Sequence, residues 1–135
     1  MIHDDLLWQP PIYGSKQYGK SEHIEALKMY QTLFDNILYT PDNWLPGVLA
    51  ETGKLDGSVR TYGTWTGTNV STGKELNLKG YWYMNFDDEG KIVAQGDFFD
   101  FGGMVDAVYP KNLVFVEVEV KKGKKQEISI RINLS

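Results

Sequence analysis

The stretch Gly80–Phe101, GYWYMNFDDEGKIVAQGDFFDF, constrains this chain more than any other. Two runs rich in aromatic and β-branched residues flank an Asp-Asp-Glu-Gly turn, the pattern of a hairpin. The turn has two residues or four, and either choice leaves the faces unchanged. One face then carries Trp82, Met84, Gln95, Asp97 and Phe99, and the other carries Tyr81, Tyr83, Phe98 and Asp100. Both faces are largely apolar, so both are covered or line a cavity. A carboxylate in such a setting is costly unless it is paired, hydrogen-bonded or neutral.

The rest of the chain is strand-like around one helix. Asp5–Gln9 reads as a short strand closed by Pro10-Pro11. Ser21 is a good N-cap, and Glu22 and Glu25 favour the start of a helix. Ile24, Leu27, Tyr30, Phe34, Ile37 and Leu38 recur at steps of three and four, which predicts a helix ending near Tyr39 ahead of Pro41. Asn43–Thr52 predicts an interrupted strand with a bend at Pro46-Gly47. Ser58–Thr68 is strand-like, and Gly63 and Gly67 inside it mark bulges or close packing of an aromatic neighbour. Gly102–Pro110 is a loop or a short helical turn.

A final hairpin is predicted over Leu113–Val120 and Glu127–Leu134. Val116, Val118, Ile128 and Ile130 share one parity, and Glu117, Glu119, Ser129 and Arg131 share the other. Keeping both apolar sets on one face requires an odd loop, about three residues, around Gly123. One early helix followed by many antiparallel strands is an α+β domain with the helix across a curved sheet.

Size and charge bound the function classes. The chain has 135 residues, 14 basic and 18 acidic side chains, a net charge of −4 and no cysteine. That length suits one domain, residues 1–135. The acidic balance argues against a nucleic-acid partner, which calls for a basic face. The lack of cysteine excludes disulfides, thiolate chemistry and Cys-ligated zinc. No run is apolar enough to span a bilayer, and MIHDDLLWQPP lacks the pattern of a signal peptide, so a cytoplasmic protein without a membrane partner is expected. There is no phosphate loop, no Ser nucleophile motif, no HExxH and no dinucleotide fingerprint, and no cofactor is expected.

Asp97 carries the sharpest expectation. Burial among aromatics raises a carboxyl pKa, which suits an acid or base working near neutrality. Asp97 shares its face with Trp82 and Gln95, a trio suited to a polar group on a mostly apolar ligand. The alternative is a structural acid paired with Arg60 or a backbone amide. Asp100, just before Gly102-Gly103, is a second candidate acid, with a turn or cap as its alternative. Trp65, Trp82, Met84 and Phe99 are candidates to grip an apolar body, and Tyr62, Tyr81 and Tyr83 to donate to an oxyanion. His3 beside Asp4 and Asp5 invites a metal reading, but two histidines make a poor site, and a frayed terminus is expected instead. His23, in the first helical turn, is expected in solvent. Lys121–Lys125 reads as a solvated hairpin tip.

These residues resemble a known family. Asp5-Leu-Leu-Trp-Gln-Pro and Gly19 ahead of a helix are similar to the early strand and helix entry of nuclear-transport-factor-two-like proteins. Gly63-Thr-Trp-Thr-Gly67, Thr72-Gly73-Lys74, Phe86, Gly90-Lys91-Ile92-Val93, and Asp97 and Asp100 before Gly103-Met104 resemble the SnoaL-like polyketide cyclase branch. The resemblance covers about residues 5–108. It implies a cone: a strongly bent antiparallel sheet wrapped on helices around a deep apolar pocket. It also implies Asp97 as the acid–base group, acting without a cofactor. Two departures stand out. The family's long helix before the first strand has no counterpart, and the terminal hairpin, residues 113–134, goes beyond the family's usual end.

Two functions follow as expectations. One is a cofactor-independent isomerase, cyclase or dehydratase acting on a small hydrophobic carbonyl compound. The other is a non-catalytic module that binds an apolar ligand or self-associates, as a homodimer burying Val116, Val118 and Ile130.

Overall fold

The computed structural model describes residues 1–109 with their side chains. Beyond them it describes only the backbone course of two strands. The elements run β1 (Ile2–Gln9), α1 (Lys20–Leu33), β2 (Phe34–Val48), β3 (Leu55–Asn69), β4 (Glu75–Phe86), β5 (Ile92–Phe99), α2 (Phe101–Val108), β6 (Lys111–Glu119) and β7 (Glu127–Leu134). The first five strands form one curved sheet in the order β1-β5-β4-β3-β2. The expected α+β class holds, with one correction: the sheet is mixed. β1 runs parallel to β5, and the other three pairings are antiparallel.

The β4–β5 pairing sorts the faces as the alternation requires. Trp82 stands opposite Asp97 and Met84 opposite Gln95, while Tyr81 faces Phe98 and Tyr83 faces Gly96. The turn is longer than two or four residues. It spans residues 87–91, with Gly90 at φ +78° and the Asp87 carboxylate accepting from the Glu89 and Lys91 amides at 2.9 Å each. The odd length is absorbed by a register shift between Asn85 and Phe86, which keeps the rest of the faces in place.

The predicted helix is shorter than its apolar spacing suggests. Helix α1 ends at Leu33, so Phe34, Ile37 and Leu38 belong to β2 instead. The start also differs: Gly19 is the N-cap, and the Glu22 carboxylate accepts its amide proton at 3.2 Å. The helix stops because β3 takes up the chain. Residues Phe34 to Val48 pair along nearly the whole of β3, with extra residues bulged out of β2 between Asp35 and Leu38 and between Pro41 and Asn43. Asn36 sits at φ +55° in the first of these. The bend expected at Pro46-Gly47 appears as a further register shift between Pro46 and Val48.

Gly63 and Gly80 face each other across β3 and β4. The Tyr39 ring lies directly over Gly63, and a Cβ on Gly80 would stand 2.6 Å from the Phe98 carbonyl. A side chain at either position would force these neighbours apart.

The core sits on the concave side. Phe34, Leu76, Leu78, Met104 and Val108 are buried together, packed by Tyr30, Trp65 and Phe99. Helix α2, where a loop or helical turn was expected, closes this cluster from the end of β5. One buried polar residue ties the pieces together. Asn69 is 1% exposed. Its Oδ1 accepts from the amides of Ser71 (3.1 Å) and Thr72 (2.9 Å), and its Nδ2 donates to the Leu33 carbonyl (3.2 Å) and the Tyr109 hydroxyl (2.8 Å). It therefore joins the end of α1, the β3–β4 turn and the end of α2.

Strands β6 and β7 pair antiparallel as a separate two-stranded ladder, with Val116 opposite Ile130 and Val118 opposite Ile128. The side chains of Val116, Val118 and Ile130, the loop around Gly123 and the tip Lys121–Lys125 lie outside the described residues.

Truncating Asn69 to alanine strips partners from several buried polar groups, each worth about 1–3 kcal/mol when left unsatisfied. Asn69→Ala is expected to lower stability by at least about 2 kcal/mol. Urea unfolding followed by tryptophan fluorescence checks this, and an unchanged midpoint would refute the tie.

Candidate functional site

Between α1 and the concave face of the sheet lies a cavity of about 370 Å³. Helix α1 contributes Leu27 and Tyr30, β3 Trp65, β4 Leu78 and Trp82, and α2 Met104. Strand β5 contributes Gln95, Asp97 and Phe99. The alternation of β4 and β5 turns these residues inward together. Trp65 and Trp82 meet edge to face with ring centres 6.3 Å apart, and Trp82 and Phe99 lie 6.1 Å apart. The walls are thus aromatic and aliphatic, with a small polar pole.

Asp97 is that pole. It is 8% exposed. The Trp8 indole Nε1 donates to its Oδ2 at 2.8 Å, and Gln95 Nε2 donates to its Oδ1 at 3.0 Å. Burial raises the carboxyl above the ordinary aspartate value; the two hydrogen bonds and nearby His23 oppose that rise without cancelling it. Among the described residues no cation pairs with it. Arg60, its expected structural partner, is occupied elsewhere: its Nη1 donates to the Tyr81 hydroxyl at 2.6 Å, and its guanidinium lies over the Tyr83 ring.

Tyr30 shares the cavity. Burial, reinforced by the nearby Asp97 charge, pushes its hydroxyl up to about 12, so it stays a proton donor at any ordinary pH. The spacing assigned Tyr30 only to the helix stripe. Trp8, read only as part of the first strand, and His23 likewise have no site role in the sequence reading. His23, expected in solvent, is 3% exposed and packs its ring against Trp8 at 4.9 Å. Burial lowers its pKa, and the Asp97 charge partly restores it. Trp8 did carry a signal. An indole N–H buried at a strand end needs an acceptor, and Asp97 is the one buried acid among the described residues.

The remaining candidates separate by sheet face. Tyr62, Tyr81 and Tyr83 stand on the opposite face from Asp97 and do not line the cavity. There they form an outer cluster with Phe98, in which Tyr62 and Tyr81 are 4.9 Å apart. Met84 lies on the inner face opposite Gln95, yet outside the cavity wall. Asp100 caps α2, accepting the Gly103 amide proton at 2.9 Å, and borders a separate open groove between β4 and α2. The terminus is not frayed: Met1 accepts from the Ile92 amide, and His3 sits in β1 with its Nδ1 accepting from the Asp5 amide at 2.9 Å. Among the described residues no three His, Asp or Glu side chains gather as a metal site, and no helix is long and apolar enough to cross a membrane.

No protein-family model matches this sequence, and no curated protein matches it. Solved structures do. A nuclear-transport-factor-two-like protein of unknown function from Burkholderia pseudomallei K96243 superposes with a TM-score of 0.60 at 22% identity, over 79% of each chain. The epoxide hydrolase/cyclase-like enzyme SalBIII, of pyran ring formation in the polyether salinomycin, gives 0.57 at 16% identity, over 75% of this chain and 74% of its own. An LEH-like epoxide hydrolase from M. tuberculosis gives 0.53 at 17%, over 79% of this chain and 71% of its own. Likeness at these identities is likeness of architecture, and the architecture these comparisons show is the nuclear-transport-factor-two-like fold.

Proposed function

We propose that the cavity binds a small hydrophobic carbonyl compound and that Asp97 moves a proton on it, without a cofactor. The observation that carries this reading is a buried carboxylate on the wall of an apolar cavity, held by two donors and unpaired with any cation among the described residues. A purely structural acid would more readily be satisfied by a counter-ion or away from empty space. Neighbours named as cyclase-like and hydrolase enzymes on this architecture lend support by analogy alone.

The chemistry needs only residues of this chain. Ionised Asp97 takes a proton from the carbon beside the carbonyl. The C–H pair becomes a carbon–carbon double bond, and the carbonyl π pair moves onto oxygen. The Tyr30 hydroxyl, still protonated, donates to that oxygen. Where a carbon–carbon double bond lies next to the deprotonated carbon, the enolate is a dienolate, and Asp97 returns the proton to its far end as the double bond moves, which completes an isomerisation. Attack of the enolate carbon on a second carbonyl of the same molecule closes a ring instead: that carbonyl's π pair moves onto its oxygen, which takes the proton back from Asp97 as a hydroxyl. Trp65, Trp82 and Phe99 hold the apolar body. Trp8 and Gln95 keep the carboxylate aimed, since an indole N–H can only donate. A non-catalytic ligand-binding module is the other outcome of the same test.

Exchange of the α-protons of 2-tetralone in D2O, followed by NMR, reads the first step directly. The wild type is expected to accelerate exchange, and Asp97→Asn to lose at least about a hundredfold of that acceleration. Tyr30→Phe is expected to lose about a hundredfold through the missing oxyanion donor. Equal exchange by wild type and Asp97→Asn would refute the acid–base role. Binding of the probe without exchange would leave only the binding module.

Two pH dependences follow from the raised carboxyl. Exchange is expected to be lost as pH falls through a midpoint above 3.8, the ordinary aspartate value. Stability runs the other way. The folded state holds this proton more tightly than the unfolded chain, so the associated stabilisation is complete below 3.8 and disappears as pH rises through the folded midpoint. Asp97→Asn is therefore expected to gain on the wild type in urea midpoint as pH rises from 3.8 through the folded midpoint. A gap independent of pH would contradict the raised value.

A further inference from the structure

His23 holds the one buried side-chain polar atom without a partner among the described residues, its Nδ1. A buried imidazole nitrogen left unsatisfied costs free energy and calls for an explanation. His23 is 3% exposed and does not line the cavity. It lies one helical turn before Leu27 and two before Tyr30 on α1, the residues that helix turns into the cavity. Its ring packs on the Trp8 indole, and that indole donates to Asp97. Tyr18 lies beside Trp8 with ring centres 6.3 Å apart, and both Trp8 and His23 are buried from water.

We propose that His23 is a positioning residue whose proton is coupled to that of Asp97 across the Trp8 indole, so that the two side chains form one proton-binding couple. This deepens the acid–base reading of the same cavity and rests on it for its purpose.

Among the described residues the surrounding charges leave no other partner. From β5, Asp97 is the one charged group that acts on His23. From β1, the neighbour is the uncharged Trp8. On α1 itself, the Glu22 carboxylate is turned to the Gly19 amide and Ser21, and Lys20 pairs with Asp4 at 2.9 Å. Tyr30 remains protonated. An imidazolium at His23 favours the Asp97 anion, and the anion favours the imidazolium. As pH falls, the couple takes up its first proton as a unit, and Asp97 keeps part of its anionic character where an isolated buried acid would have lost it. The base stays ready over a wider pH range. The orphan Nδ1 is the cost of keeping a proton-binding ring where an apolar one would pack as well.

The test needs no ligand, so it stands apart from the exchange experiment. In the full chain, the Asp97 carboxyl carbon and the His23 ring nitrogens are titrated by NMR. Both are expected to show two inflections with shared midpoints. His23→Phe keeps a ring against Trp8 and removes the proton site. It is expected to leave Asp97 with one inflection, raised by roughly one pH unit. A single Asp97 curve, identical in wild type and His23→Phe, would overturn the coupling. Should His23→Phe fail to fold, the wild-type curves decide alone: one inflection at Asp97, with none at the His23 midpoint, overturns it. Shared inflections together with no probe exchange would sustain the couple and sink the acid–base reading instead.

Discussion

The hydrogen bond from the Trp8 indole to Asp97 is the interaction on which the site depends. It joins residues 89 positions apart, and only the parallel pairing of β1 with β5 brings them together. Trp8 stands opposite Gln95 in that register, two residues from the carboxylate along β5. Without β1 the inner edge of β5 would face water, and Asp97 would be an ordinary hydrated acid. With β1 in place, water is replaced by one fixed indole donor and one amide donor. Fixed donors support a buried anion without having to reorient when its charge changes. The helix then closes over the pair, bringing His23 against Trp8 and Tyr30 into the cavity.

Much of the β4–β5 half was legible because side-chain alternation is a local property. Once Trp82 was placed on one face, Asp97, Gln95 and Phe99 followed by parity, whatever the turn did within limits. The five-residue turn had an odd length that should have inverted the faces, and the shift at Asn85–Phe86 restored them. The end of α1 was not legible for the opposite reason. Phe34, Ile37 and Leu38 continue a helical spacing, but their fate is decided by β3, some thirty residues later, which pairs with them. The Leu33 carbonyl accepts from Asn69 Nδ2 and from the Val70 amide. Those bonds occupy the acceptor at the end of the helix and hand the chain to the sheet. Nothing within a window around Phe34 announces this. Nor does local periodicity report that β1 is parallel, which conceals Trp8, or that His23 lies under it.

Asp100 shows how the same residue type divides by backbone context. It stands three residues from Asp97, at the point where β5 gives way to α2. Four amide protons at a helix start lack intrahelical partners, and an aspartate there satisfies one of them. Asp100 accepts from Gly103, and Gly103 tolerates the close approach because a Cβ would collide with the carboxylate. Asp97, within the strand, has no such helix end to serve. Its neighbours on the ladder already have backbone partners, so its oxygens are left to side-chain donors and to the cavity.

The sheet also keeps apart the two charges that would otherwise cancel. Across β3, β4 and β5, Thr61, Trp82 and Asp97 fall on one row, and Arg60, Tyr83 and Gly96 on the next. Adjacent rows point to opposite faces. Arg60 is therefore committed to the outer side, where the Tyr81 hydroxyl and the Tyr83 ring receive it. Gly96 leaves room for that arrangement, since a Cβ there would meet the Tyr83 ring. On the inner side the same rows set Asp97 among Trp82, Phe99 and Tyr30 with no counter-ion among the described residues. A guanidinium one residue further along β3 would have stood on the inner row and could have neutralised the acid. The pleat prevents this, and the carboxyl stays raised on the cavity wall.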